Sequence, residues 1–243
     1  MKIPKEITPD IAELFGIITG DGYVRIKHPV WLSIECSANE RDYIDRHVKN
    51  IVQKIFGIEV KTRFYNRNGI KNTYGFCITK SEIPLFLSNY NLHFKHTVIS
   101  VPEIILSGNS TLKKRFLRGL IDTDGCMSFI KKKEEYSYPR LNVSSVSVDL
   151  MSHVCEMFRE FNIKGSFWAM KTPKLPLLRF EIKGKMVEKY MKTIGSKNPN
   201  IISKFSIWKA LGCCKTNTSY DQRLKILSSI RNPTNIALVA QFG

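Results

Sequence analysis

Apolar residues recur at helical spacing in some stretches of the chain and alternate with polar residues in others. Residues 40–56 carry apolar side chains three and four positions apart, the pattern of an amphipathic helix. Four segments of the first half alternate instead and are predicted to be strands: 23–27, 31–37, 59–67 and 73–80. With a helix ahead of the first strand and another after the last, this half is predicted to run helix, two strands, helix, two strands, helix.

The second half repeats this order. Residues 149–161 are predicted to form the helix between four strands, at 126–133, 139–147, 164–171 and 177–183. A further helix is predicted near 220–230. The connection at 99–110 is the predicted joint, which divides the chain into a first unit, 1–105, and a second unit with a helical tail, 106–243.

A repeated nonapeptide supports this division. Residues 14–22 read LFGIITGDG, and residues 117–125 read LRGLIDTDG. The likeness continues downstream, where Phe56-Gly57-Ile58 corresponds to Phe161-Asn162-Ile163. A second copy with parallel landmarks indicates a duplicated unit. We therefore predict an α+β fold built from two αββαββα units.

Small residues lie on one face of the predicted helix in both copies. They are Gly16 and Gly20 in the first, and Gly119 and Thr123 in the second. Small residues four positions apart let two helices approach until their backbones nearly touch. We expect the two motif helices to cross there, with Thr8 capping the first and Ser110 the second.

Each motif helix is predicted to end in Asp-Gly, with Gly22 and Gly125 in the left-handed conformation that stops a helix. Asp21 and Asp124 then face the negative ends of the helix dipoles and repel each other if the helices cross closely. Divalent cations between these carboxylates and a phosphate would remove both penalties. Since Mg²⁺ favours carboxylate, water and phosphate oxygens, the pattern predicts metal-assisted hydrolysis of a phosphodiester.

The net charge narrows the class of partner. The 243 residues include 38 Lys and Arg against 21 Asp and Glu, a formal net charge of +17. Nucleic acid, an anionic membrane surface or an acidic protein would each account for such an excess. Because the basic residues are spread along the chain, a basic groove or face is favoured over a flexible arm.

Cysteine usage and hydropathy place the protein inside the cell. The six cysteines include no C-x-x-C pair, so neither a zinc site nor a disulfide framework is predicted. The chain lacks a signal-peptide-like start and a run of about 18 apolar residues. We expect a soluble protein in the cytoplasm of a prokaryote or in an organelle matrix, with no membrane partner.

The predicted strands carry a basic, polar and aromatic face, because successive side chains of a strand point to opposite sides. A β-ribbon fits the major groove of DNA, where such side chains can contact base edges. The predicted DNA-binding residues are Tyr23, Arg25, Lys27, Lys61, Arg63, Tyr65, Arg67, Arg140, Asn142, Arg179, Lys183 and Lys185. Ser144 and Glu181 share the same alternation.

The two nonapeptides resemble the LAGLIDADG motif of homing endonucleases. The second copy differs from the name-giving string only at Arg118 and Thr123, and the first keeps the final Asp21-Gly22. The resemblance implies a monomer of two pseudo-symmetric halves, with the motif helices packed at the centre and two saddle-shaped antiparallel sheets over the DNA. It implies a long double-stranded target, roughly pseudo-palindromic or asymmetric, and no obligate protein partner.

Site residues follow from the resemblance motif by motif. It implies that Asp21 and Asp124 bind the catalytic metals, with backbone carbonyls from Gly20 and Thr123. Mg²⁺ is the implied cofactor, for which Mn²⁺ can substitute, while Ca²⁺ binds without supporting cleavage. The assisting basic residues map to Lys95, with His96 in reserve, and to Lys197. The residues that position water map loosely to Ser37 and Ser145.

The implied reaction is hydrolysis of one phosphodiester in each DNA strand, which leaves short 3′ overhangs. Free-standing members of the family are usually intron-encoded, so we expect an intron-encoded homing endonuclease. Two alternatives share the fold: a maturase that binds intron RNA, and a DNA-binding regulator that has lost cleavage. Retention of both motif acids favours the nuclease.

Overall fold

Two four-stranded antiparallel sheets, one in each half of the chain, form the frame of the protein. The computed structural model describes residues 1–67, 70–93, 98–131, 137–173 and 175–231. The two sheets have the same strand order, 1-2-4-3 when strands are numbered within each half. The α+β class and the repeated unit predicted from the sequence are therefore confirmed.

The first half matches its predicted element order. Its helices are α1 (Pro9–Asp21), α2 (Arg41–Tyr43), α3 (Lys49–Phe56) and α4 (Glu82–Ser88), and its strands are β1 (Gly22–Arg25), β2 (Trp31–Ser37), β3 (Arg63–Arg67) and β4 (Ile70–Ile78). A 3₁₀ turn, Ala38–Glu40, leads into α2, and a π-helical segment, Ile44–Val48, joins α2 to α3. The helix predicted over 40–56 is thus continuous. Asn68-Gly69, a turn signal between the strands predicted at 59–67 and 73–80, lies outside the described residues.

The second half adds helices at both ends. Its helices are α5 (Glu103–Leu106), α6 (Ser110–Asp124), α7 (Val148–Glu160), α8 (Lys185–Thr193), α9 (Pro199–Leu211) and α10 (Tyr220–Arg231), and its strands are β5 (Cys126–Lys131), β6 (Ser137–Ser145), β7 (Ser166–Met170) and β8 (Leu177–Lys183). Helix α10 confirms the predicted tail helix, whereas α9 was not predicted. Among the described residues, no helix is both long and apolar enough to cross a membrane.

Three of the predicted DNA-binding residues lie outside the strands. Strand β1 ends at Arg25, whose guanidinium donates to the carbonyls of Lys27 and His28 at 3.2 and 3.3 Å, so Lys27 belongs to the turn. Strand β3 begins at Arg63, so Lys61 precedes it. Lys185 begins α8, because Gly184 has a φ of 52° and turns the chain out of β8.

The motif helices α1 and α6 cross with their backbones in contact. A Cβ at Gly16 would lie 2.1 Å from the carbonyl oxygen of Phe116, and one at Gly119 would lie 2.2 Å from that of Glu13. Real Cβ atoms do not approach backbone that closely, so only glycine fits at either position. The expected close crossing is therefore present, and it depends on Gly16 and Gly119.

The caps of the motif helices agree with the sequence only in part. Thr8 caps α1, accepting the N–H of Ile11 at 3.4 Å. Asn109, rather than the predicted Ser110, caps α6, because its side-chain oxygen reaches the N–H groups of Thr111 and Leu112 at 3.0 and 3.1 Å.

The prediction of left-handed glycines after the motifs was wrong. Gly22 has φ −93° and ψ 152°, and Gly125 has φ −79° and ψ 142°, both extended. The helices therefore run straight into β1 and β5. Glycine is required for space, because a Cβ would lie 2.6 Å from the carbonyl oxygen of Ile18 at Gly22, and 2.2 Å from that of Ile121 at Gly125.

A buried ion cluster fixes the register of the two motif helices. Glu13 of α1 is 0% exposed. Its carboxylate accepts hydrogen bonds from Arg115 Nη1 at 2.7 Å and Arg118 Nε at 3.0 Å, and lies 2.6 Å from His47 Nε2. A buried carboxylate without such partners would strongly destabilise the fold. The cluster therefore fixes the position of α1 along α6.

Replacing Gly119 by Ala tests the crossing. In an ordinary helix interior this change stabilises by roughly 0.5–1 kcal/mol. Here we expect the opposite sign, a loss of about 1–3 kcal/mol, because the methyl group must push α1 away. Urea unfolding measures it, and Gly119→Leu should cost still more. A stabilised Gly119→Ala variant would show that the helices do not touch there.

Candidate active site

The crossing of the motif helices brings their terminal carboxylates together. Asp21 is the last residue of α1, and Asp124 is the last residue of α6. A Cβ at Gly20 would lie 2.1 Å from Thr123 Oγ1 and 3.3 Å from the carboxyl carbon of Asp124. The four predicted metal-site residues, Asp21, Asp124, Gly20 and Thr123, therefore meet at one point.

The Asp21 carboxyl pays an electrostatic penalty at this position. Burial, followed by the negative charges of Asp124 and Glu40, raises its pKa from 3.8 to about 8. Each of these causes disfavours the ionised form. A cation placed among these carboxylates would act in the opposite direction.

Glu40 is a third acidic residue at this site, and the sequence did not indicate it. It ends the 3₁₀ turn between β2 and α2, three residues after Ser37. Burial raises its pKa, while a hydrogen bond from Asn198 and the charge of Lys204 lower it. The amide nitrogen of Asn198 lies 2.8 Å from Glu40 Oε1. The resemblance maps the water-positioning residue of this half loosely to Ser37, so it did not single out Glu40.

Lys204 is a second residue that the sequence did not indicate. It belongs to α9, and its ammonium donates to the carbonyl of Met127 at 3.0 Å. Its influence on Glu40 places a positive charge beside the acids. Because α9 was not predicted, the sequence analysis did not assign this lysine to a helix near the site.

Asp122, two residues before Asp124, is held by hydrogen bonds within the protein. It is buried, and its carboxylate accepts from Ser196 Oγ at 2.5 Å and from the backbone N–H of Lys197 at 2.7 Å. Burial raises the pKa of Asp122 to about 7 against the effect of these donors. The predicted basic residue Lys197 thus contributes its backbone here, while its side chain is exposed.

The remaining predicted site residues are placed differently. Lys95 and His96 lie outside the described residues. Ser37 accepts the N–H of Asn39 at 3.4 Å, and Ser145 accepts that of Ser147 at 3.1 Å. Both serine hydroxyls therefore bind the backbone of the turn that follows their strand.

The oxygen atoms at the crossing fit a hard divalent cation. Asp21 and Asp124 offer carboxylates from two helix ends, and Gly20 and Thr123 offer backbone carbonyls. No three His, Cys, Asp or Glu side chains among the described residues converge closely enough to form a metal cage by themselves. Mg²⁺ does not require one, since one or two carboxylates with water and phosphate complete its shell.

The first sheet presents the expected polar face. Tyr23 pairs with Ser33 and Arg25 with Trp31 across β1 and β2, so these side chains share one side. The Arg25 guanidinium lies 5.3 Å from the Trp31 ring centre. On β3, the Arg63 guanidinium stacks over Tyr65 at 4.8 Å, and the backbone of Arg67 ends the strand.

The second sheet repeats this face with more ion pairs. Arg140 pairs with Lys183, Asn142 with Glu181, and Ser144 with Arg179. Glu181 is buried and lies 3.3 Å from Arg140 Nε and 2.9 Å from Lys183 Nζ. The carboxylate therefore orients two cations on the polar face.

A cleft opens beside the acids and extends toward the C-terminal helices. It has a volume of about 930 Å³ and lies between the turn Ala38–Glu40, the start of β5 and the segment that joins α9 to α10. Glu40, Cys126 and Lys204 line it. The cleft reaches Gly125, the residue after Asp124.

Solved structures share this architecture. The homing endonuclease I-DmoI, in a crystal structure with DNA and Ca, matches with a TM-score of 0.58 and 15% identity over 82% of this chain and 97% of that chain. The homing endonuclease I-WcaI bound to its DNA recognition sequence matches with a TM-score of 0.55 and 16% identity, over 76% of this chain and 80% of its own. At these identities the likeness shows the fold.

Curated relatives match over a small part of their length. A replication factor C small subunit from Methanocaldococcus jannaschii is 27% identical over 165 residues, which are 63% of this chain and 9% of the relative. A ribonucleoside-diphosphate reductase NrdEB subunit alpha from Bacillus subtilis is 26% identical over 130 residues, 49% of this chain and 12% of the relative. The chain thus spans about a tenth of the length of these relatives.

A family model provides the sequence match. The LAGLIDADG-like domain model covers residues 111–211, from the start of α6 to the end of α9. The structural neighbours extend the likeness over both halves. Residues 111–211 therefore match the LAGLIDADG-like domain family, and the chain as a whole shares the two-unit fold of the solved homing endonucleases.

Proposed function

We propose that the protein is a divalent-metal-dependent endonuclease that cuts both strands of a long double-stranded DNA target. The observation that carries this proposal is the meeting of Asp21 and Asp124 at the ends of α1 and α6, just beyond the point where the helix backbones touch. Two carboxylates held together against their mutual repulsion suit a cation site. The two sheets on either side supply a polar and cationic surface for DNA.

Each acid has a defined role in this proposal. Asp21 and Asp124, with the carbonyls of Gly20 and Thr123, would hold Mg²⁺, and Mn²⁺ would substitute for it. The bound ions would supply an activated water and stabilise charge on the phosphate. Ca²⁺ would bind in the same place without supporting cleavage. Lys95 and Lys197 remain the proposed assisting residues, and Lys204 joins them because its charge acts on Glu40.

The polar faces of the sheets would grip the DNA. Arg25, Arg63, Arg140 and Arg179 project from strands in both halves, so the grip would extend to each side of the acids. Arginine and asparagine can contact base edges, whereas exposed lysines contact phosphate. I-DmoI and I-WcaI, which share the fold, are described in complex with DNA, which supports this mode of binding.

The same proposal includes cleavage of one phosphodiester in each strand, which would leave short 3′ overhangs. It also includes encoding of the protein within an intron. Selection of cleaved sequences from a randomised DNA library with Mg²⁺ tests it directly. Recovery of one target with staggered cuts supports the nuclease. Tight binding to intron RNA without any cleaved DNA would favour the maturase, and binding to DNA without cleavage in any metal would favour the regulator.

Replacing each motif acid by its amide separates binding from cutting. Asp21→Asn and Asp124→Asn keep the shape of the site and remove its charge. We expect both variants to keep DNA affinity in Ca²⁺ or EDTA and to lose double-strand cleavage in Mg²⁺, because each acid helps to hold metal at both phosphates. Filter binding and gel assays measure the two quantities. Glu156→Gln, on the exposed side of α7, is the control, and unchanged cleavage in both amide variants would refute the site.

Stability should depend on pH through Asp21. Its pKa is raised in the folded state, so the folded protein binds this proton more tightly than the unfolded chain does. The penalty is absent below about pH 4 and complete above about pH 8. In EDTA, Asp21→Asn should match the wild type at low pH and exceed its unfolding free energy at pH 8.5. Equal pH profiles from urea unfolding would contradict this account, and Mg²⁺ should stabilise only the wild type.

DNA affinity should fall steeply with salt, since bound Lys and Arg release counterions from phosphate. Arg63→Ala should weaken binding or relax base preference without unfolding the protein. Lys54→Ala, at an exposed lysine paired with Asp10 on α1, is the matched control. It should change neither the DNA affinity nor the base preference. Titrations between about 50 and 200 mM salt measure the slope. A flat plot would refute the proposed DNA surface.

A further inference from the structure

Asn198 is a buried residue at the junction of the two halves, with 1% of its surface exposed. Its Nδ2 donates to Glu40 Oε1 at 2.8 Å and to the carbonyl oxygen of Asp122 at 2.7 Å. Its Oδ1 accepts the N–H of Asn200 at 2.9 Å, which caps α9. Both amide donors are therefore used. The reversed orientation would set the amide oxygen against the Glu40 carboxylate.

These contacts connect the halves at the candidate active site. Asp122 lies two residues before Asp124 on α6, whereas Glu40 belongs to the first half. A second bond runs in parallel, since Asn200 Nδ2 donates to the carbonyl oxygen of Asn39 at 3.0 Å. The segment 198–200 thus holds the turn Ala38–Glu40 at two adjacent points against the end of α6.

The α9–α10 pair supports this segment from behind. Arg223 of α10 is buried and donates to Asn200 Oδ1, and its Nε donates to Ser203 Oγ at 2.9 Å. Helix α10 lies beyond the region matched by the family model. The C-terminal helices therefore fix the position of a side chain that acts in the first half.

The Glu40 carboxylate lies beside the end of α6. It lines the cleft together with Gly125 and Cys126, the two residues after Asp124. Its charge also acts on Asp21. The atom that Asn198 holds is thus close to the place where metal and water would bind in the proposed function.

The residue of the second half that corresponds to Glu40 has a different environment. Gly22 pairs with Ile34, and the register of β5 and β6 places Val143 opposite Gly125. Counted from Ile34 and Val143, the counterpart of Glu40 is Asp149, which is exposed in the first turn of α7. Ser147 holds that turn by donating to the carbonyl oxygen of Ile99 at 2.5 Å. The two sides of the site are therefore unequal.

We propose that Asn198 is a positioning residue that holds the Glu40 carboxylate beside Asp21, so that cleavage of one DNA strand depends on a hydrogen bond between the two halves. The inference rests on the proposed nuclease function. Glu40 acts on the metal or its water on one side only. Asn198 acts through Glu40 and does not touch the DNA or the metal.

Asn198→Asp tests the proposal and keeps the helix cap, because aspartate caps a helix as well as asparagine does. It removes both Nδ2 donors. On the target recovered by selection, labelled at both ends, we expect one strand to be cut about 10- to 100-fold more slowly, the loss typical of residues that orient ligands. The other strand should be cut at the original rate, and DNA affinity in Ca²⁺ should be unchanged. Glu40→Gln should slow the same strand, and the double variant should be no slower.

The controls separate this role from a general weakening of the fold. Asp149→Asn, at the counterpart residue, should leave the ratio of the two strand rates unchanged. Asn198→Asp that slows both strands alike, or neither, would overturn the proposal while leaving the nuclease intact.

Mn²⁺ binding by the full chain, measured by electron paramagnetic resonance, gives a readout that does not require cleavage. Asn198→Asp and Glu40→Gln should weaken one class of Mn²⁺ site by a similar factor. Wild-type protein that binds no Mn²⁺ and yields no cleaved target would instead overturn the proposed function itself.

Discussion

The structure depends on the direct contact between the backbones of α1 and α6. Gly16 faces the carbonyl of Phe116, and Gly119 faces that of Glu13, so no side chain separates the helices at these points. The sheets continue from the ends of these helices, because Gly22 and Gly125 pass straight into β1 and β5. The position of each sheet, and of every side chain on its polar face, therefore follows from one helix crossing.

The same crossing holds a carboxylate near each end of α1. Cationic side chains neutralise the carboxylate at one end, whereas the carboxylate at the other end keeps an electrostatic penalty. Near the start of α1, the Glu13 carboxylate is buried and meets Arg115, Arg118 and His47. At the far end, Asp21 meets carboxylates, which together with burial raise its pKa to about 8. The two acids differ in their partners, because Glu13 meets guanidinium groups whereas Asp21 meets other carboxylates. A site that remains unfavourable in the protein alone is suited to a ligand that brings positive charge.

Local patterns in the sequence predicted the elements, and tertiary contacts decided the rest. Periodicity and the repeated motif indicated both sheets and both motif helices, because these features are written in residues close together in the chain. Gly22 and Gly125 were assigned the wrong conformation because glycine is needed there for close approach, which only the crossing reveals. Glu40 and Asn198 were missed because their importance arises from a contact between residues far apart in sequence. Helix α9 was missed although Asn198 and Pro199 form an ordinary start signal for a helix.

Arg118 shows how a duplicated unit becomes two different halves. It stands where the name-giving string has alanine and the first copy has Phe15, and the motif alone gives no reason for an arginine. In the structure it meets Glu13, the residue before the first motif. Arg115 and Arg118 correspond to Ala12 and Phe15 of the first unit, so a pair of two first units would leave Glu13 with His47 of its own half as its partner. Only the mixed pair supplies both guanidinium partners of the buried Glu13 carboxylate, and a buried carboxylate that loses its partners strongly destabilises the fold. The ion cluster therefore selects the pairing of unlike halves, which is the condition for two unlike sides of one active site.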